Sequence, residues 1–251
     1  MIGIFDSGVG GLSVLREICK VLPDEQYIYY SDNAHCPYGE KSVEYIIDRA
    51  REITRFLLDK GAEIIVVACN TATAAAISTL RNEFNVRFIG MEPAVKPAVM
   101  STETGVVGVL ATSGTLKADK YQNTRERYSE GVKIVEHVGQ GFVELVEKGC
   151  LSGEEAEETV RKSLKPLMDE GADRIVLGCT HYPFLSEVII KEASAIAPDR
   201  RIEVIDPAPA IARHLKEVMQ AEKLIHNDGF RISLYSSGDP IALNKTYEMI
   251  K

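Results

Sequence analysis

The chain has 251 residues, a formal net charge of −8, and 45% apolar and 26% charged residues. That acidic balance excludes the basic surface on which non-specific nucleic-acid binding rests, and no apolar run is long enough to span a bilayer. Five cysteines (Cys19, Cys36, Cys69, Cys150 and Cys179) form no Cys-x-x-Cys or paired-histidine pattern, which argues against zinc. The chain starts on a strand with no basic leader, so a cytoplasmic address with reduced thiols is expected.

In chain order, residues 1–5 read as a strand, 6–11 as a glycine-rich turn and 12–22 as a helix, with apolar residues at Leu12, Leu15, Ile18, Cys19 and Leu22. Residues 26–30 form a second strand, followed by Asp32. A glycine turn between strand and helix, with an acid after the next strand, invites a dinucleotide reading. The run Gly8-x-Gly10-x-x-Ser13 lacks the third glycine, however, and Asp6 puts a negative charge where a pyrophosphate would lie. Residues 33–39 are a loop by their Pro and Gly content. A long amphipathic helix is expected over 42–60, closed by Gly61.

Gly61-Ala62-Glu63-Ile64-Ile65-Val66-Val67-Ala68-Cys69-Asn70-Thr71 then recurs, 110 residues on, as Gly171-Ala172-Asp173-Arg174-Ile175-Val176-Leu177-Gly178-Cys179-Thr180-His181. Each apolar run is short, rich in β-branched residues and bounded by Gly, the pattern of a buried parallel strand. Each cysteine therefore falls at a strand's carboxyl end, where open α/β sheets place ligands. Gly3-Ile4-Phe5-Asp6-Ser7-Gly8 is echoed by Gly108-Val109-Leu110-Ala111-Thr112-Ser113. A period this long suits a duplicated α/β domain rather than a solenoid. Between and beyond these runs, the pattern predicts helices over 71–80, 117–128, 142–148, 152–170 and 208–219, and strands over 86–90, 105–110, 134–137 and 202–205. Residues 92–97 read as a crossing between halves, Pro183 as the first turn of a further helix, and 230–235 as a strand or flap.

Cys19 and Cys150 read as packed, structural thiols. Cys69 and Cys179 differ: both lie at strand ends beside hydroxyl and amide groups, and Cys69 precedes a helix, whose N-terminus favours a thiolate. One nucleophile with His181 as base would not use a second, matching cysteine. Two opposed thiols suit proton transfer at one carbon, one removing a proton and the other delivering one to the opposite face. Asp6 and His181 are candidates to hold or tune the thiols, against the plainer roles of helix cap and loop histidine. Ser7, Asn70, Thr71, Thr112, Thr115 and Thr180 supply donors, and those at helix starts suit carboxylates.

The segments Phe5-Asp6-Ser7-Gly8-Val9-Gly10-Gly11-Leu12-Ser13, Ser31-Asp32-Asn33-Ala34, Pro37-Tyr38-Gly39, Ala68-Cys69-Asn70-Thr71-Ala72, Thr112-x-x-Thr115, Gly178-Cys179-Thr180-His181-Tyr182-Pro183 and Ile205-Asp206-Pro207 together resemble the glutamate racemases of the cofactor-independent aspartate/glutamate racemase superfamily. The resemblance implies Cys69 and Cys179 as acid/base thiols acting on D- and L-glutamate respectively. It implies substrate contacts from Asp6-Ser7, Tyr38-Gly39, Asn70-Thr71 and Thr180-His181. Glu147 is implied as a site acid, although Gly139-Gln140-Gly141-Phe142 departs from the family's Cys-Pro-containing lead-in. Also implied are D-glutamate supply for peptidoglycan, no pyridoxal phosphate or metal, and a homodimer. The expected fold is α/β: two pseudo-symmetric lobes, 1–94 plus 207–251 and 95–206, with mainly parallel sheets flanked by helices and the active site in the cleft between them. Rival readings are a racemase or decarboxylase of the same superfamily acting on aspartate or another small acid, and a non-catalytic amino-acid-binding protein.

Overall fold

A computed structural model describes residues 1–251. The chain runs β1 (Ile2–Asp6), α1 (Leu12–Val21), β2 (Gln26–Ser31), two 3-10 turns (Asn33–His35 and Tyr38–Glu40), α2 (Val43–Asp59), β3 (Ile64–Val67), α3 (Asn70–Glu83) and β4 (Arg87–Gly90). It continues α4 (Val95–Ser101), β5 (Val106–Ala111), α5 (Ser113–Lys117), α6 (Asp119–Tyr128), β6 (Lys133–Val138), α7 (Phe142–Lys148), α8 (Glu154–Asp169), β7 (Arg174–Gly178), a 3-10 turn (Tyr182–Leu185), α9 (Ser186–Ile196) and β8 (Glu203–Ile205). It ends α10 (Ala208–Ala221), β9 (Arg231–Ser236) and α11 (Ile241–Ile250).

Two compact units result, Met1–Met91 with Ala208–Lys251, and Glu92–Pro207. The first holds a five-stranded sheet in the order β4-β3-β1-β2-β9, the second a four-stranded sheet in the order β6-β5-β7-β8. Every strand pair is parallel. β1 and β5 occupy equivalent places, as do β3 and β7, down to the register: Gly3 pairs with Ile65 and Gly108 with Ile175. Both glycines have one cause. A Cβ on Gly3 would meet Ala62 and Leu57, and one on Gly108 would meet Leu167 and Ala172, so a helix and its following turn press on the central strand in each unit. The turns themselves use Gly61 and Gly171, at φ +91 and +95, which side-chain-bearing residues rarely adopt.

β1, β3 and β7 are buried along their whole length, as strands covered by helices on both faces must be. Ser42 caps α2, its side chain accepting from the Tyr45 N–H at 3.2 Å. No helix is long and apolar enough to cross a membrane.

Several expectations need correction. The helix placed over 117–128 is two helices. Thr112 caps an earlier start by accepting from the Thr115 N–H, and Ala118 turns extended, breaking the run. The crossing expected near 92–97 contains α4, with Pro97 in its first turns, where a missing N–H costs little. The loop at 33–39 is largely 3-10 turn. Residues 231–236 form a full strand, paired with β2 from Gln26–Arg231 to Ser31–Ser236, and α11 follows it. Cys19 and Cys150 are half-buried rather than core thiols. Burial pushes the Cys19 thiol up to about 11, which leaves little thiolate at neutral pH.

Candidate active site

In the first unit, the carboxyl ends of β1 and β3 collect the sequence candidates. Asp6 closes the glycine turn: its Oδ2 accepts from the N–H groups of Gly8 at 3.2 Å and Gly11 at 2.9 Å. Gly11 has to be glycine, because a Cβ there would lie 2.7 Å from the Asp6 Cβ and 2.8 Å from the Tyr29 hydroxyl. Cys69 is the N-cap of α3, and the Ala72 N–H donates to its Sγ at 3.4 Å. Ser7 Oγ lies 3.8 Å from the same sulfur. A thiol in this position faces the helix's free N–H groups and positive dipole end, both of which favour thiolate.

Asn70 and Thr71 start α3 and are buried. The Asn70 amide is enclosed with neither its nitrogen nor its oxygen hydrogen-bonded within the protein. Buried amides are nearly always paired, so this one is poised for a polar guest. Tyr38 packs in one apolar cluster with Cys69, and its hydroxyl donates to Asp32 Oδ2 at 2.5 Å. Burial, then the Asp32 charge, raises the Tyr38 phenol well above its ordinary value.

In the second unit, Cys179 follows β7 directly. Its Sγ lies 3.8 Å from His181 Nδ1, and His181 Nε2 lies 2.6 Å from Glu147 Oε1. His181 is almost wholly buried. With Nε2–H donating to Glu147, Nδ1 is left as the acceptor on the side of the Cys179 thiol. Glu147 sits on α7, entered through Gly141 and left through Gly149, both left-handed. α7 is anchored by Phe142 against the Tyr182 ring, with centroids 4.9 Å apart. A Cβ on Gly139 would come within 2.6 Å of that ring. A side chain at 139 would therefore have to displace the Tyr182 ring. Thr112 and Thr115 meet at the start of α5, with Oγ1 atoms 3.0 Å apart.

Two thiols thus stand at equivalent strand ends, one on a helix N-terminus and one beside a histidine–carboxylate pair. The profile of the Asp/Glu/hydantoin racemase family matches residues 2–215. The chain belongs to that family. Its relatives include the glutamate racemase of Methylococcus capsulatus, 50% identical over 224 residues, spanning 89% of this chain and 81% of that protein. Among solved structures, the glutamate racemase isoform RacE1 of Bacillus anthracis superposes with a TM-score of 0.88 at 31% identity, over 99% of this chain and 92% of that one. The glutamate racemase of Francisella tularensis, solved with D-glutamate, gives 0.82 at 29% identity, again over 99% and 92%.

Within this racemase fold, one side chain that sequence reasoning missed stands out. Arg49, on α2, grips Asp32 through two hydrogen bonds, Nη2 to Oδ1 at 2.7 Å and Nε to Oδ2 at 2.9 Å. Burial alone would raise the Asp32 carboxyl; the bonds from Arg49 and Tyr38 outweigh it and hold the group below its ordinary range. A lone arginine in a helix with no marked partner gives no sequence signal of such a contact.

Proposed function

We propose that this chain is a glutamate racemase that inverts Cα of glutamate by a two-thiol proton transfer, with Cys69 and Cys179 as its acid and base. The observation that carries the reading is their placement at equivalent strand ends of two sheets with the same topology and register. The thiolate of one cysteine removes the Cα proton, leaving the electron pair on the carbanion. The thiol of the other gives its proton to the opposite face. The first cysteine ends protonated and the second ionised, so exchange with solvent resets the pair. Cys69 acts on D-glutamate and Cys179 on L-glutamate. His181, held by Glu147, serves Cys179; Ser7 and the start of α3 serve Cys69. Asp6 shapes the turn that carries Ser7. Asn70, Thr71, Thr180, Thr112, Thr115 and the backbone N–H groups of the Tyr38-Gly39 turn supply donors for the carboxylates. The cytoplasmic setting, the homodimer and the supply of D-glutamate for peptidoglycan follow from the family likeness.

Racemisation in D₂O tests this. Because each thiol exchanges with solvent, the product carries deuterium at Cα from its first appearance, while unreacted substrate stays largely protiated early on. Cys69→Ala and Cys179→Ala should each cut racemisation by about 10²–10⁴-fold. Either variant keeps at most Cα exchange of one enantiomer. Product bearing its original Cα proton, or near-full racemisation by Cys179→Ala, overturns the two-thiol reading. Comparable efficiency on aspartate overturns the substrate assignment.

A further inference from the structure

Arg49 lies on α2, outside every segment that carries the racemase resemblance, yet it reaches the one carboxylate bonded to Tyr38. Asp32 is fully enclosed and Arg49 nearly so, with side-chain exposures of 0% and 13%. The contact is a two-point fork, whose planar geometry fixes the carboxylate's orientation as well as its charge. With Asp32 so oriented, its Oδ2 accepts the hydrogen bond of the Tyr38 hydroxyl. The phenol oxygen then keeps only acceptor capacity on its remaining side. Tyr38 and Gly39 form one 3-10 turn, so a fixed Tyr38 also fixes Gly39.

We propose that Arg49 is a positioning residue, acting through Asp32 to lock the Tyr38-Gly39 turn and to commit the Tyr38 hydroxyl proton to Asp32. This rests on, and deepens, the racemase reading of the site. Tyr38 can then take a hydrogen bond from an ammonium or thiol proton and gives none to a carboxylate. The segment that follows Asp32 is tied down from a second side. Ser237 Oγ, just past β9, accepts from the Ala34 N–H at 3.1 Å, and Asn33 Oδ1 accepts from Ser236 Oγ at 2.7 Å and Gly238 N at 2.9 Å. Other ionisable groups acting here are Tyr30 on β2, Glu52 beyond Arg49 on α2, and Cys69 beside Tyr38. The Asp32 N–H donates to the backbone oxygen of Asp6 at 2.9 Å. Arg49 is the one cation bonded to Asp32 among them.

The test is the pH profile of kcat/KM for glutamate in wild type, Arg49→Met, Arg49→Lys, Tyr38→Phe and the Arg49→Met/Tyr38→Phe double variant. Without its cation, the enclosed Asp32 takes up a proton at higher pH and the Tyr38 bond reverses. Arg49→Met should therefore raise the acid limb by about one pH unit or more, with activity regained on its alkaline side. Arg49→Lys, which keeps the charge without the fork, should move the limb less. In the Tyr38→Phe background, Arg49→Met should cost little further. A loss of equal proportion at every pH, or the same fold-loss with and without the Tyr38 hydroxyl, overturns the lock. Should Arg49→Met fail to fold, Arg49→Lys alone decides: an unmoved limb counts against the proposal. If wild type does not racemise glutamate, the function assigned above fails, and carboxylate ¹³C NMR of Asp32 still decides the lock. The Asp32 signal, identified by its loss in Asp32→Asn, should titrate higher in Arg49→Met than in wild type. Titration at one pH in both overturns it.

Discussion

The two cysteines share a strand-end position but differ in what surrounds them. Cys69 is served by backbone, the N–H groups opening α3. Cys179 is served by a side chain, His181, held in turn by Glu147. Removing the carboxylate that orients a histidine leaves the ring in place without fixing its tautomer. Glu147→Gln should therefore lower kcat/KM by about 10²-fold, the low end for a disturbed acid–base group. Two enantiomers have equal free energy in water, so kcat/KM must fall equally in both directions. The asymmetry should emerge in the Cα-deuterium isotope effect, which should grow for the direction in which Cys179 removes the proton. Equal isotope effects in both directions, measured with both deuterated enantiomers, would count against a role for Glu147 through His181.

Among the elements, β7 has little freedom where it delivers Cys179. A Cβ on Gly178 would lie 2.7 Å from the Ala111 Cβ and 3.1 Å from the Leu110 carbonyl oxygen. Neither can move without shifting β5. Gly178→Ala should destabilise the chain by about 1–3 kcal/mol, as overpacked cores do, and displace the adjoining thiol. Thermal unfolding should show the lower Tm, and racemisation at 20 °C should fall further than the unfolded fraction accounts for. Gly61→Ala is the contrast: nothing lies within 4 Å of the added Cβ, and only the left-handed backbone resists it. Its cost should be about 1 kcal/mol, with kcat unchanged.

Taken as a whole, each unit holds a buried carboxylate below its ordinary range. Asp32 in the first unit is opposed by burial and held down by Arg49 and Tyr38. Asp173 in the second is opposed by burial and held down by Thr102, the Glu103 N–H and Arg174. Both titrate lower in the folded chain than in the unfolded one, where an aspartate titrates near about 3.9. Their contribution to stability is complete above that pH and is lost as pH falls through the folded values. Urea midpoints should therefore fall steeply below about pH 4, and the fall should be shallower in Asp173→Asn. A midpoint independent of pH between 5 and 3, set against the reference value of about 3.9, would contradict both assignments.

The sequence by itself determined the parts of this protein that repeat along the chain. Two cysteine strands, the glycine-led strands that open at Gly3 and Gly108, and the turns at Gly61 and Gly171 are local patterns, legible in one pass. Tertiary structure decided what depends on distant partners. β9 could be read as strand or flap because its apolar residues are few, and only pairing with β2, some two hundred residues away, makes it a strand. α11 follows from that placement. The Thr112 cap starts a helix ahead of the expected one, and Gly139 lies against the Tyr182 ring, 43 residues on. The bond of Glu147 to His181 spans 34 residues and that of Arg49 to Asp32 spans 17. Charged side chains on exposed-looking helices carry no mark of which buried acid or base they will meet. Periodicity reports the face a residue occupies, and the fold alone reports what lies across from it.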